Sequence, residues 1–207
     1  MLTRVHRMQA GDTLIEVLFA VSVFSLVAVA AISLMNSGIN TAQKALEITQ
    51  VRQQIDAQAE ALRFVHHGYV MSLGSATVNG DEWNKVITKA SAPGSVATFN
   101  TTGGARTCGE IPPRAFIMNA RLGTISTVTP KSISSSQGGY SAPPFARVTY
   151  DGNNLTHADG IWIEGKTNTG NGGVGFTDFH IRACWESPGT GPAITLGTIV
   201  RLYEPPV

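Results

Sequence analysis

Hydrophobic and polar positions follow three different patterns along the chain. From Val17 to Met35 nineteen residues run without a charge, interrupted only by Ser22, Ser25 and Ser33. As a helix rising 1.5 Å per residue, this run spans about 28 Å, close to the apolar thickness of a bilayer. From residue 40 the pattern becomes periodic. Ile48, Val51, Ile55, Ala59, Leu62 and Val65 recur at steps of three and four, while Lys44, Glu47, Gln53, Gln54, Asp56 and Glu60 fall largely off that stripe. Such spacing predicts an amphipathic helix with one face packed on a globular body. Arg52 and Asp56 are four apart and positioned to pair, and Asn36-Ser37-Gly38 marks a place at the membrane exit where the helix can bend or locally melt.

After residue 65 the periodicity shortens. Ala115–Met118, Phe145–Tyr150, Gly160–Gly165, Phe179–Trp185 and Ile194–Tyr203 read as strands, the fourth with Phe179, Ile181, Ala183 and Trp185 on one face. Asp151-Gly152-Asn153-Asn154 is a turn signal, and Glu186-Ser187-Pro188-Gly189 is a second connection between strands. Ser132–Gly139 and Gly165–Gly175 are poor in hydrophobic residues and read as surface loops.

Composition sharpens this division. Residues 1–65 hold only Gly11 and Gly38 and no proline, whereas residues 66–207 hold the other 20 glycines and all 10 prolines. Nothing in the first third forces a helix to break. The expected fold is therefore α+β: a long N-terminal helical spine, with a transmembrane first half and an amphipathic second half, packed on a mostly antiparallel β-sheet head. The expected organisation is a short leader at 1–11, a helical spine at 12–66 with its membrane segment at about 17–35, and an extracytoplasmic head at 67–207.

Charge places the termini. Arg4, His6 and Arg7 precede the apolar run, so the positive-inside rule puts the N-terminus in the cytoplasm and the head outside. A plain single-pass anchor and a secretory signal peptide cut near Ala28-Val29-Ala30 both fit the run. Neither accounts for Glu16 at its edge, where a carboxylate is costly. With 15 Lys+Arg against 14 Asp+Glu there is no bulk charge for nucleic acid. Cys108 and Cys184 both follow the membrane run, which points to an oxidising space and a disulfide between them.

The residues Gly11-Asp12-Thr13-Leu14-Ile15-Glu16-Val17, followed by the uncharged run, resemble the cleavage and assembly segment of type IV prepilins and pseudopilins. In that family a membrane peptidase cuts after the glycine and methylates the new terminal amine. The resemblance implies that Gly11 ends a leader and that Asp12 opens the mature chain as the site of N-methylation. Glu16, its fifth residue, would then serve in assembly. The family usually begins its mature chain with Phe, and Asp12 departs from this in a way that bears on methylation more than on cleavage. Loss of the leader removes Arg4 and Arg7 and turns the side-chain charge from +1 to −1.

The function implied is a structural minor pilin-like subunit of a type IV filament. Its partners would be other pilin subunits, the prepilin peptidase and, before assembly, the membrane. Alternatives are a pseudopilin of a type II secretion system and a membrane-anchored surface adhesin or binding protein that does not polymerise. No enzyme is expected, because G-x-S-x-G, Walker A, H-E-x-x-H and C-x-x-C motifs are absent from the sequence. No metal or cofactor is expected. The pair His66-His67 reads as a helix end, His180 and Arg182 as a solvated strand face, and Trp83, Trp162 and Trp185 as packing residues.

Overall fold

The computed structural model describes residues 12–72, 78–90, 108–133, 143–168, 175–186 and 193–205. Among these residues helix α1 runs from Asp12 to Met71, a second helix α2 from Val78 to Ala90, and seven strands follow. These are β1 (Met118–Asn119), β2 (Thr124–Ile125), β3 (Arg147–Asp151), β4 (Asn154–Asp159), β5 (Ile161–Asn168), β6 (Phe176–Trp185) and β7 (Ile194–Tyr203). By its contacts the chain divides into an N-terminal unit, Met1–Leu46, and a head, Glu47–Val207.

The head is α+β, with the second part of α1 packed on antiparallel sheets. The stripe read from the sequence is the face that packs: Val51, Ile55, Ala59, Leu62 and Val65 are buried, and Ile48 is partly so. They share one core with Ile117, Met118, Ile161, Ile163, Phe179, Ile181, Ala183 and Trp185. Phe179, Ile181, Ala183 and Trp185 occupy one face of β6 as their alternation requires. Trp83, Trp162 and Trp185 are all buried, as packing residues should be.

The antiparallel β-structure expected of the head is present, divided among the described residues into three sheets. β1 pairs with β2, β3 with β4, and β5, β6 and β7 form a three-stranded sheet in that order, all antiparallel. The division between the last two falls at Gly160, whose φ of 65° lies in the left-handed region. There the chain leaves β4 and enters β5. A Cβ at Gly160 would stand 2.5 Å from the Cys184 carbonyl oxygen, so a side-chain-bearing residue does not fit. The turn signal at Asp151–Asn154 forms the β3–β4 hairpin.

Three local expectations are corrected. Asn36-Ser37-Gly38 does not interrupt α1, which stays helical through it. Without a proline, the helix retains its backbone ladder there. α1 also continues past His66 and His67 to Met71, so both histidines stand inside the helix. Residues 165–168, read as loop, extend β5 and pair with Phe176–Phe179 of β6. Residues 169–174 of that loop, residues 134–139 of the serine-rich segment, and the connection at Ser187–Gly189 lie outside the described residues.

Helix α2 was not legible as a helix in a segment read as strands and turns. Its apolar residues Trp83, Val86 and Ala90 are buried and Ile87 partly so, the spacing of one helix face. It seats against β5, where Gly165 makes room: a Cβ there would be 2.3 Å from the Ala90 Cβ. Glu82 joins α2 to β2 by accepting the Ile125 N–H at 3.0 Å while pairing with Lys85 at 2.6 Å. Burial works to raise the Glu82 carboxyl. The bonds from Lys85 and Ile125 outweigh it and hold the group below its ordinary value.

Candidate functional site

The feature that sets this chain apart is the apolar surface of α1. Within the N-terminal unit every described side chain from Leu14 to Leu46 is exposed, except that of the half-buried Ala28. Phe19, Phe24, Leu26 and Leu34 are each more than 70% exposed. The helix is long and apolar enough to cross a membrane, with a mean hydropathy of 2.6 in its most apolar window. Two of its hydroxyls are handled internally. Ser22 Oγ donates to the Leu18 carbonyl and Ser25 Oγ to that of Val21, both at 2.8 Å. This back-bonding satisfies hydroxyls that an apolar environment would otherwise leave without a partner.

Glu16 stands exposed among Leu14, Ile15, Val17, Leu18 and Phe19. It is a single carboxylate on an otherwise apolar surface, without an ion pair among the described residues. Gly11 lies outside the described residues, and with it the expected cleavage point. Asp12 opens α1 as described. Glu16 belongs to the N-terminal unit and the cysteines to the head.

Cys108 and Cys184 are bonded, with Cα atoms 5.5 Å apart. The bond sits in a small second apolar cluster with Ile111, Ala115, Trp162 and Ala193. It ties the segment beginning at Cys108 to the outer face of β6. That face is not simply solvated, as His180 and Arg182 were expected to be. The Arg182 side chain is only 16% exposed and lies 3.7 Å from the Glu164 carboxylate. Trp162 Nε1 donates to the same carboxylate at 2.7 Å. Burial and the neighbouring Arg182 push the His180 imidazole below its usual range, despite the opposing pull of Asp178 and Glu164. Arg201 grips Asp178 with two bonds, at 2.7 and 2.9 Å, and holds that carboxyl low.

Sequence reasoning missed how the head holds its part of α1. Glu47, Gln54 and Gln58 were placed off the apolar stripe or left unremarked, yet each makes a specific bond to the head. Glu47 Oε2 accepts the Trp185 indole N–H at 3.1 Å. Gln54 Oε1 accepts the Val148 N–H of β3. Gln58 is 1% exposed and uses both ends of its amide: Oε1 accepts the Met118 N–H at 2.8 Å and Nε2 donates to the Met118 carbonyl at 2.9 Å. It pairs with Met118 as a neighbouring strand would. The three residues are spaced by seven and four, so they form one row along the helix beside the apolar stripe. Arg52 and Asp56, expected to pair, are both exposed, and the ion pair on this part of the helix is Arg63 with Glu60.

His66 adds a fourth tie. Its Nε2 is 2.9 Å from the Tyr203 carbonyl at the end of β7, and its ring meets Trp83 of α2 edge-on at 4.8 Å. Among the described residues no group of three His, Cys, Asp or Glu side chains is placed to hold a metal ion. Comparison with known protein families, with curated proteins and with solved structures gave no match.

Proposed function

We propose that the chain is a structural, pilin-like subunit of a type IV filament. A leader ending at Gly11 is removed, the helix from Asp12 holds the subunit in the membrane, and it then packs with the helices of neighbouring subunits. The observation that carries this reading is the uncovered apolar surface of Leu14–Met35 with its one carboxylate. A lone Glu16 in lipid or in an apolar filament core is costly, whereas a Glu16 beside the terminal amine of an adjacent subunit is compensated. That pairing sets axial register when a subunit is added. The head, with its own core and disulfide, stays on the outside.

The test is the mature N-terminus, read by mass spectrometry on protein from the native membrane. A chain beginning at Asp12 is expected, and one beginning at Met1 or near Ala31 overturns the reading. Glu16→Ala is expected to insert into the membrane at the wild-type level and to be missing from sheared surface filaments. Equal amounts of both proteins in those filaments would leave Glu16 no assembly role, as an anchored adhesin requires.

A further inference from the structure

The β3–β4 hairpin carries a motif that the filament reading does not use. In Asn154-Leu155-Thr156 an asparagine amide is followed two residues later by a hydroxyl. That is the acceptor pattern for an N-linked sugar on the surface of exported proteins. Among the described residues no other asparagine has a serine or threonine two positions on. A second copy of the pattern, Asn100-Thr101-Thr102, lies outside them.

The hairpin presents this motif outward. Asp151 pairs with Asn154 across a two-residue turn, and the φ of 55° at Gly152 is the left-handed conformation such a turn needs. Leu155 is turned into the core and buried, which fixes the motif to the head, while Asn154 and Thr156 on either side of it are exposed. Thr149 pairs with His157 and Tyr150 with Leu155, so the ladder skips Thr156 and the strand is bulged there. Thr156 Oγ1 donates to the Thr149 carbonyl at 3.1 Å, and a hydroxyl that donates one bond can still accept from an approaching N–H. The turn itself is held by other side chains. Asn119 Nδ2 donates to the Asn153 carbonyl at 2.8 Å, and Arg121 donates to that of Gly152. The fold thus uses the Asn119 amide to hold the hairpin and leaves that of Asn154 at the surface.

We propose that Asn154 is an N-glycosylation site, whose sugar donor is an oligosaccharide carried on a lipid phosphate. The Asn154 Nδ2 attacks the anomeric carbon of the first sugar. The bond from that carbon to the phosphate oxygen breaks, and the carrier phosphate departs with the electron pair. The amide proton leaves to a base of the transferase, and the product is a neutral N-glycosidic amide. This rests on the part of the proposed function that puts the head outside the membrane. A hydrated sugar is costly to bury, so the hairpin that bears it belongs to the solvent side of the head and not to a contact between subunits.

Tandem mass spectrometry of the full chain from its native membrane tests it. Trypsin, which cuts after lysine and arginine, releases Val148–Lys166 with Asn154 inside it. That peptide is expected to carry sugar on Asn154 in the wild type and in Thr156→Ser, and to lose it in Asn154→Gln and Thr156→Val. Near-ultraviolet circular dichroism checks that each variant keeps its head fold. A bare wild-type peptide overturns the proposal. So does sugar that survives Thr156→Val or sits on another residue of the peptide. The same digest reads the mature N-terminus and separates this proposal from the filament reading. A bare peptide in a chain beginning at Asp12 removes the sugar and leaves the filament reading standing. Sugar on Asn154 of a chain beginning at Met1 keeps the site and removes that reading.

Discussion

One helix is built to two different rules. Between Leu14 and Met35 apolar side chains cover every side of it, and they are exposed. Between Ile48 and Val65 a single apolar stripe, Val51, Ile55, Ala59, Leu62 and Val65, is buried, with Ile48 partly so. An all-round apolar surface specifies a solvent, lipid or other helices, without choosing an orientation. A single stripe flanked by a row of hydrogen-bonding side chains specifies one partner in one register. The first part suits a segment whose neighbours change, and the second suits one whose neighbour is permanent.

The largest expected effect comes from making the same substitution in both parts. Leu62→Ala opens a cavity in the core and should cost about 2–5 kcal/mol of head stability. Leu26→Ala should leave head stability unchanged. Tryptophan fluorescence of the full chain in detergent reads both, because Trp83, Trp162 and Trp185 all belong to the head. Equal losses would break the distinction between the two parts.

A smaller effect isolates the hydrogen-bonded row. Gln58→Leu keeps the approximate size but strips both partners from Met118, and should cost about 1–3 kcal/mol for buried groups left unpaired. Gln53→Leu, on the exposed side, should be neutral within about 0.5 kcal/mol. Chemical denaturation midpoints at constant slope make the comparison. A neutral Gln58→Leu would show that burial alone fixes the helix.

The smallest effect is in the pH dependence of the head. His180 has its folded-state pKa below the unfolded value, so the folded state binds protons less readily. Its contribution to stability is present above about pH 6.5 and is lost as the pH falls through the lowered folded value. Asp178, also lowered, adds a loss that begins only below about pH 4. His180→Gln should therefore flatten the stability curve on the acid side of about pH 6.5 while keeping the steeper fall at the acid end. An unchanged curve would show that His180 does not feel the burial described.

The sequence made the two parts of the helix legible because apolar periodicity is a property of the side chains themselves. The strands at Phe179–Trp185 and Ile194–Tyr203 were legible for the same reason, and the cysteine pair because the membrane run implies an oxidising space. What escaped was information held by the partner. Gln54 and Gln58 look like solvent-facing residues until Val148 and Met118 arrive with unpaired backbone groups. Helix α2 escaped because its four apolar positions lie in a short window among glycines and prolines. His180 and Arg182 alternate as exposed residues do, and their partial burial and the Glu164 carboxylate beside Arg182 are not written in that alternation.

The row formed by Glu47, Gln54 and Gln58 has a mechanical consequence. Its bonds cross from the helix to the head at three successive levels along the helix axis. A pull along that axis loads them side by side, so the bonds share the force and must yield together. A pull that peels the helix away from one end loads them in turn. Tension carried along α1 therefore meets the stiffer arrangement, and the head should detach from its helix far more readily by peeling than by sliding.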